Sequence, residues 1–233
     1  MSFLKSLVST ILSICLVLTL SIDSVGAQSS NIEKDEVKVQ KFTENELKKI
    51  EQEMEKWSKL IDENKRYELL DKLRNGEVWD SINHEKKMKS LVQPEEKKFE
   101  FTEADGSVTA GTMFTYPDGS ITITSVSGGT STCGTGYCNY KGRKVLETDF
   151  TQSGEFKANY TTVQDDDDYI SKVYDYVIVA GNDSYSDAEL SIDTKYESYG
   201  DPAYAYLRWQ ASGYTHYVKL YVGDDIAWSE AEF

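Results

Sequence analysis

The sequence predicts an α+β fold, in which a charged helical segment precedes an antiparallel β-sandwich of the immunoglobulin-like type. The first observation behind this is a change in composition near Lys98. Residues 28–98 hold 16 Lys and Arg against 17 Asp and Glu, whereas residues 99–233 hold 8 against 22. The second is that fifteen of the sixteen tyrosines follow residue 98. The third is a series of alternating apolar and polar runs, about ten residues apart, with turn signals between them.

The first 27 residues have the layout of a secretory signal peptide. Lys5 precedes an apolar stretch from Leu7 to Leu20, and small residues at 24–27 precede the expected cleavage site before Gln28. The stretch is shorter than the roughly 20 apolar residues that span a bilayer, which argues against a membrane anchor. We therefore expect a secreted, extracellular protein that is processed by signal peptidase.

Residues 28–98 carry good helix signals. Thr43 and Glu46 form a capping-box pattern, and an apolar stripe with helical spacing follows them. The stripe consists of Leu47, Ile50, Met54, Trp57 and Ile61. A second run ends in Asn75-Gly76, which is a typical helix stop. Residues 78–82 suggest one more short helical turn. Such a stripe is usually a packing face.

Residues 84–98 are polar and contain Pro94, so the sequence predicts a linker that an extracellular protease could cut. The predicted organisation is a signal peptide at 1–27, a helical segment at 28–98 and an acidic, tyrosine-rich β domain at 99–233. The helical segment is interpreted as a pro-region that covers an apolar part of the β domain.

The β domain contains turn signals at Asp105-Gly106 and at residues 117–119. Its clearest strands are predicted at 171–180, 188–196, 203–211 and 215–223. In the third of these, Tyr204 and Tyr206 alternate with apolar residues and share one face. Tyrosine suits a half-buried sheet face, because its ring is apolar and its hydroxyl is polar. A recognition surface is the alternative function of the same residues. We take Tyr204, Tyr206 and Trp209 as the candidate binding surface.

Cys133 and Cys138 are the two cysteines of the mature chain, and glycines at 134 and 136 lie between them. A disulfide is the favoured interpretation in an oxidising compartment. A zinc site would need two more ligands, and the chain has only His84 and His216 as histidines. A redox centre would need the C-x-x-C spacing, which is absent. The two cysteines therefore predict a turn that is closed by a disulfide bond.

Motifs for catalysis are absent from the sequence, and we expect no enzyme, no catalytic residues and no cofactor. His84 falls in the predicted linker, and His216 is interpreted as a strand residue at the surface. A hydrolase that uses unmarked carboxylates is the weakest hypothesis.

The run Asp165, Asp166, Asp167 and Asp168 raises a calcium hypothesis, since hard cations prefer oxygen ligands. A solvated loop is the simpler interpretation, because consecutive aspartates cannot all point inward. A nucleic-acid partner is disfavoured by the charge of the β domain, which repels phosphate.

Three stretches carry a resemblance to known proteins: residues 128–145, 168–179 and 202–223, which read GGTSTCGTGYCNYKGRKV, DYISKVYDYVIV and PAYAYLRWQASGYTHYVKLYVG. With the preceding signal and charged helical segment, residues 30–233 resemble the secreted, large, unmodified bacteriocins of the closticin and geobacillin type. The resemblance implies an antibacterial protein that is activated by removal of the helical segment. It brings no catalytic residues.

The first functional hypothesis is accordingly a secreted, non-enzymatic, bacteriocin-like protein. Most membrane-active bacteriocins are cationic, whereas this β domain has an excess of 14 negative charges. It would be repelled by an anionic envelope, so the expected partner is an envelope receptor. The alternative hypothesis is a secreted cell-envelope binding module, a sugar binder or an inhibitor of another extracellular protein.

Overall fold

The computed structural model describes residues 42–181 and 184–230. The predicted signal peptide and its cleavage site lie outside these residues. Three helices, α1 (Glu44–Glu55), α2 (Glu63–Arg74) and α3 (His84–Met88), come first, with a 3-10 turn at Asp80–Ile82. Strands follow in this order: β1 Glu95–Thr102, β2 Val108–Thr115, β3 Ile121–Ser127, β4 Thr130–Gly134, β5 Tyr137–Thr148, β6 Ser153–Val163, β7 Tyr169–Val179, β8 Ser186–Thr194, β9 Ala203–Ala211, β10 Tyr214–Gly223 and β11 Ile226–Glu230.

The strands form two antiparallel sheets. The large sheet has the order β1-β2-β3-β5-β6-β7, with β4 paired to β5, and the small sheet has the order β11-β10-β9-β8. This confirms the prediction of antiparallel sheets. An immunoglobulin-like sandwich passes consecutive strands between its two sheets. Here β1 to β7 belong to the large sheet and β8 to β11 to the small sheet, because short turns favour pairing between neighbours in the sequence. The strand connections thus differ from the immunoglobulin-like arrangement that the sequence suggested.

The helical predictions agree closely with the structure. The Thr43 side chain caps α1 at the backbone of Glu46, and the Glu46 carboxylate accepts from the Thr43 backbone at 2.6 Å. The five stripe residues are all buried, although the last two, Trp57 and Ile61, lie in the turns that follow α1. Helix α2 ends at Arg74, and Gly76 takes a positive φ of 83° just after it. A glycine tolerates this conformation without steric cost.

The predicted linker at 84–98 is mostly structured. Helix α3 occupies its first five residues, and strand β1 begins at Glu95. The Asn83 side chain caps α3 at the backbone of Lys86. Pro94 directly precedes β1, a position where its missing N–H does not weaken the strand ladder. Residues 89–94 are the irregular part of the predicted linker.

The helical segment packs on one face of the large sheet and forms the helix-side core with it. On the helical side this core contains Met54, Leu69, Leu73 and Trp79, none of which exposes any side-chain surface. On the sheet side it contains Ile121, Ile123, Leu146 and Phe150. Two backbone donors, the N–H groups of Asp80 and Ser81, bond the side chains of Asp118 and Ser120 at 3.0 and 2.9 Å. The helical segment is therefore built into the hydrophobic core of the β domain.

The opposite face of the large sheet packs against the small sheet and forms the sandwich core. Val145, Phe156 and Ile170 come from the large sheet, and Leu207, Val218 and Leu220 come from the small sheet. Every residue of β3 is buried, because Ile121 and Ile123 face the helices while Val126 faces the small sheet. The molecule thus has three layers: helices, large sheet and small sheet.

The predicted disulfide is present at the tip of the β4–β5 hairpin. Cys133 and Cys138 lie directly opposite each other in the strand register, with Cα atoms 4.0 Å apart. Gly136 in the turn has φ 80°, which suits glycine. All five residues of β4 are exposed. The disulfide therefore staples a projecting hairpin and lies away from both cores.

Candidate functional site

The outer face of the small sheet carries a continuous row of aromatic rings, which we call the aromatic strip. It arises because burial alternates along β9: Ala203, Ala205 and Leu207 are buried in the sandwich core, so that Tyr204 and Tyr206 lie on the other face. The same alternation in β10 and β11 adds Tyr217, Tyr221 and Trp228. All five rings are half-buried.

The rings of the aromatic strip contact one another across three strands. Tyr221 pairs in register with Tyr204 on one side and with Trp228 on the other. Its ring stacks on both, with centroids 5.0 and 5.5 Å apart and interplanar angles of 21° and 18°. Tyr206 lies 5.8 Å from Tyr204 and 6.1 Å from Tyr217. Tyr204, Tyr221 and Trp228 therefore form a row of nearly parallel rings across the sheet, and Tyr206 and Tyr217 extend it at interplanar angles of 32° and 63°.

Charged groups border the aromatic strip. Glu189 on β8 accepts from the Tyr206 hydroxyl at 3.1 Å and from the Arg208 guanidinium at 2.7 Å. Burial, together with Glu189, raises the pKa of Tyr206 above its ordinary value. The indole N–H of Trp228 donates to Glu230 at 2.9 Å. Hydrogen-bond donors and acceptors are thus fixed at the border of the aromatic strip, as a polar ligand would require.

Trp209 does not belong to the aromatic strip. It faces the opposite side of β9 and is only 3 % exposed, in the sandwich core. The structure therefore separates the three residues of the predicted binding surface: Tyr204 and Tyr206 lie together, and Trp209 lies elsewhere. The binding surface predicted from the sequence did not include Tyr217, Tyr221 and Trp228, which lie beside Tyr204 and Tyr206 in the structure. Alternation in β10 placed the two tyrosines on one face, but only the strand register shows that they continue the row.

Trp209 instead lines a second feature, which we call the histidine cleft. It lies between α3, the β5–β6 turn and the β9–β10 hairpin, and its volume is about 380 Å³. His84 stacks on Tyr214 with centroids 4.2 Å apart, and His216 stacks on Trp209 at 5.2 Å. The two histidine rings meet edge to face at 5.0 Å. His84 thus begins α3 and does not lie in an irregular linker, whereas His216 is the strand residue that the sequence predicts, half-buried in the wall of the cleft.

Charged side chains of both signs line the histidine cleft. Lys87 comes from α3, and Glu147 and Asp149 come from the end of β5. One oxygen of Asp149 accepts from the Thr151 hydroxyl and backbone and from the Gln152 backbone, at 2.6 to 2.9 Å.

Burial is the largest cause of the pKa shifts of these groups, because it disfavours the charged form of each. It lowers the pKa of His84 to about 4 and also lowers the pKa values of His216 and Lys87. It raises the pKa of the Asp149 carboxyl. Both histidines are consequently neutral at pH 7.

The aspartate run forms one wall of an acidic cleft of about 390 Å³, opposite Glu197, Asp224 and Asp225. Asp168 is fully buried, and its carboxylate accepts from the backbone N–H groups of Val163 and Asp225 at 2.7 and 2.9 Å. Asp168 thus holds two loops together, while residues 165–167 are exposed. Among residues 42–181 and 184–230, no group of three or more His, Cys, Asp and Glu is arranged to hold a metal ion. The calcium hypothesis therefore has no support in this region.

Comparison of the chain with protein-family models, with curated proteins and with solved structures found no match. The resemblance to large bacteriocins consequently remains a prediction from the sequence. Within the described residues, no helix is long and apolar enough to cross a membrane.

Proposed function

We propose that this protein is a secreted binding module that holds an uncharged extracellular glycan against the aromatic strip. The observation that carries the proposal is the stacked row of Tyr204, Tyr221 and Trp228 across three adjacent strands. The faces of aromatic rings are electron-rich. The C–H bonds on the face of a sugar ring carry a small positive charge, so they pack favourably on a ring face that no stacking partner among the described residues covers, such as the outer face of Trp228 at the end of the row on the edge strand β11.

The groups around the aromatic strip fit a sugar as well. Glu189 and Glu230 can accept hydrogen bonds from hydroxyl groups, and Arg208 and the tyrosine hydroxyls can donate to them. A net charge of −15 disfavours an anionic polymer, because the protein would repel it. An uncharged polysaccharide of a cell envelope carries the hydroxyl groups that these side chains can bind, and the negative charge of the protein does not repel it.

Sedimentation with insoluble polysaccharides tests the proposal. Cellulose, chitin and purified bacterial cell walls serve as probes, and the fraction of intact protein that sediments with each is measured. We expect Tyr204→Ala to weaken binding by about tenfold or more, as expected for a ring at the centre of an interface.

Tyr176→Ala is the matched control, because Tyr176 is 43 % exposed on β7 of the large sheet. It should bind as the wild type does. Equal sedimentation of both variants, or no sedimentation of the wild type with any probe, would contradict the proposal. The tyrosines would then act only as cross-strand pairs that stabilise the small sheet.

We propose a bacteriocin-like antibacterial activity, with removal of the helical segment as its activation step, as the second candidate function. The observation that favours it is the accessible connection between the helices and the strands, where Met88 and Leu91 are 74 % and 68 % exposed. A cut in residues 89–93 breaks the covalent link between the helices and β1 and leaves every strand intact. In this hypothesis the strip binds the receptor on the target envelope.

Intact mass spectrometry of culture fractions that kill related bacteria tests this second function. We expect the active fraction to contain a chain that begins between residues 89 and 94. Killing by a chain that retains the whole helical segment would overturn the activation step, and the absence of killing in every fraction would overturn the function.

A further inference from the structure

Helix α3 has little buried surface to hold it in place. It is five residues long, and an isolated helix of that length is unstable in water. None of its five residues is buried, whereas α1 and α2 each contribute three buried side chains to the helix-side core. Detachment of α3 alone therefore costs less free energy than unfolding of the whole helical segment.

The ring of His84 joins α3 to the small sheet. It stacks on Tyr214 with centroids 4.2 Å apart and meets His216 edge to face at 5.0 Å. His216 is held in the cleft wall, because its ring stacks on Trp209 at 5.2 Å and its Nε2 lies 3.3 Å from the carbonyl oxygen of Ala211. Both imidazoles are thus half-buried, and the loss of hydration disfavours a charged ring at either position.

The Lys87 ammonium adds a positive charge to the same cleft. Lys87 follows His84 by three residues, a spacing that places both side chains on one face of a helix. Its Nζ lies 5.6 Å from the centre of the Tyr116 ring, and the side chain lines the cleft together with both histidines. Protonation of His84 and His216 would therefore bring three positive charges into one small cleft, where like charges repel.

We infer that protonation of His84 and His216 detaches α3 from the small sheet, so that their contact is an acid-sensitive switch. Detachment returns the charged rings to water and moves Lys87 away from His216. The pKa of His84 has the direction that such a switch requires, since burial, Lys87 and His216 lower it to about 4 in the attached form. In the detached form it returns toward its ordinary value of about 6.5. Protons therefore bind the detached form more tightly, and acidification shifts the equilibrium toward it.

Other charged groups that face the histidines come from the large sheet. Glu147 at the end of β5 and Asp149 in the turn after it line the cleft, and Tyr214 and Tyr217 of β10 face it with hydroxyls that are uncharged in acid. The Asp149 carboxylate attracts a charged His216, but burial of that histidine is the larger effect and its pKa is lowered. Burial raises the pKa of Asp149 itself, which opposes detachment in acid. The net response is the balance of two histidines against one carboxyl, and removal of one imidazole isolates its share.

Detachment of α3 also opens the connection at residues 89–94. In the attached form, the backbone N–H of Lys89 donates to the carbonyl oxygen of Glu85 at 3.2 Å. The backbone N–H of Leu91 likewise donates to the carbonyl oxygen of Lys86 at 2.9 Å. These bonds hold the connection in a turn, whereas a protease cuts a chain that has opened, so acidification should make the connection easier to cut. The switch requires no ligand at the aromatic strip and is independent of the proposed function.

Amide hydrogen exchange of the intact protein, followed by mass spectrometry of its peptides, tests the switch. Protection of α3 is measured between pH 7 and pH 5 and corrected for the intrinsic exchange rate at each pH. The expected fall is about twentyfold, the contribution of His84 for a pKa of about 4 in the attached form and about 6.5 in the detached form. Peptides of α2 are the internal reference for unfolding of the whole molecule, and they should stay at least about tenfold better protected than α3.

Two variants assign the response to the histidine. His84→Phe keeps an aromatic ring against Tyr214 and removes the group that titrates, so the fall should be less than about fivefold. Glu85→Gln is the matched control, because it removes a different titratable group of α3, one that is exposed and paired with Lys89. Lys89 lowers the pKa of Glu85, which therefore stays ionised down to pH 5. Glu85→Gln should lose protection as the wild type does over this range.

Equal protection of α3 and α2 at every pH would show that α3 leaves only when the whole molecule unfolds, and the switch would not exist. An α3 protection that is the same at pH 7 and pH 5, or that falls equally in the wild type and in His84→Phe, would also contradict it. The comparison of α3 with α2 is made within the wild type, so it decides the matter even where a variant fails to fold. Sedimentation with polysaccharides tests the proposed function separately, and neither result determines the other.

Discussion

His84 and His216, the two histidines of the chain, lie with their ring centroids 5.0 Å apart, although one begins α3 and the other belongs to β10. The contact joins the helical segment to the small sheet, whereas the helix-side core joins that segment to the large sheet. The helical segment therefore contacts both sheets, and its last helix forms one wall of the histidine cleft.

The histidine pair predicts that the protein loses stability on acidification. Burial, with smaller contributions from Lys87 and His216, lowers the pKa of His84 from 6.5 to about 4. Between these pH values the unfolded chain binds a proton at His84 more readily than the folded chain does. The free energy of unfolding should therefore fall as the pH decreases from 6.5 to about 4. Urea unfolding at a series of pH values measures this slope.

Comparison with His84→Gln isolates the contribution of the histidine. Groups that face the pair include Lys87 on α3 and the carboxylates of Glu147 and Asp149 on the large sheet. The raised pKa of Asp149 acts with the opposite sign, because its folded form binds a proton more readily than the unfolded chain. The variant keeps that contribution and should show a shallower fall over the same window. Identical slopes for the two proteins would contradict the prediction.

The helix-side core predicts a large difference between two methionines of the helical segment. Met54 is fully buried and Met88 is 74 % exposed. Met54→Ala should lower the free energy of unfolding by about 2–5 kcal/mol, because it leaves a cavity between the helices and the large sheet. Met88→Ala should change it by less than about 0.5 kcal/mol. Equal effects in denaturant unfolding would show that the helices do not share a core with the sheet.

The disulfide should stabilise the protein without being required for its fold. Cys133 and Cys138 close a short loop at the tip of an exposed hairpin. Replacing both with serine should lower the free energy of unfolding by about 2 kcal/mol, from the loop-closure entropy of the unfolded chain. The far-ultraviolet circular dichroism should stay the same. If the variant failed to fold, the disulfide would be required for folding, and this prediction would be wrong.

Proteolysis at residues 89–93 should not by itself release the helical segment. The helix-side core holds that segment through buried side chains that include Met54, Leu69 and Trp79. After a single cut, the two fragments should elute together in gel filtration and separate only in denaturant. Immediate separation would mean that the helix-side core holds the two fragments together less tightly than the burial of its side chains suggests. In the antibacterial hypothesis, co-elution implies that activation needs a second event, such as contact with the target envelope.

Local patterns were sufficient to predict several elements of the fold. The capping box of Thr43 and Glu46 located the start of α1, and the alternation of small or apolar residues with tyrosine located β9. Both signals depend on residues close together in the sequence. The end of the helical segment was harder to predict from the sequence. Its polar residues from His84 onward form a short helix, whose side-chain cap comes from Asn83.

The aromatic strip and the histidine cleft could not be predicted from local sequence patterns, because they depend on contacts between residues far apart in the sequence. The row from Tyr204 through Tyr221 to Trp228 follows from the register of three strands. The meeting of His84 with His216 follows from the packing of α3 against a distant hairpin. Trp209 shows the opposite error, because the alternation along β9 places its side chain on the buried face with Leu207 and not on the face of Tyr206.

The affinity of Tyr221→Ala for a soluble oligosaccharide tests the central claim most directly. Tyr221 is the ring that stacks on both Tyr204 and Trp228. Isothermal titration calorimetry is carried out with a hexasaccharide of the polysaccharide that sediments the wild-type protein, with Tyr176→Ala as control. We predict that Tyr221→Ala weakens binding by about tenfold or more while the control binds as the wild type does. Equal affinity of all three proteins would contradict glycan binding by the aromatic strip.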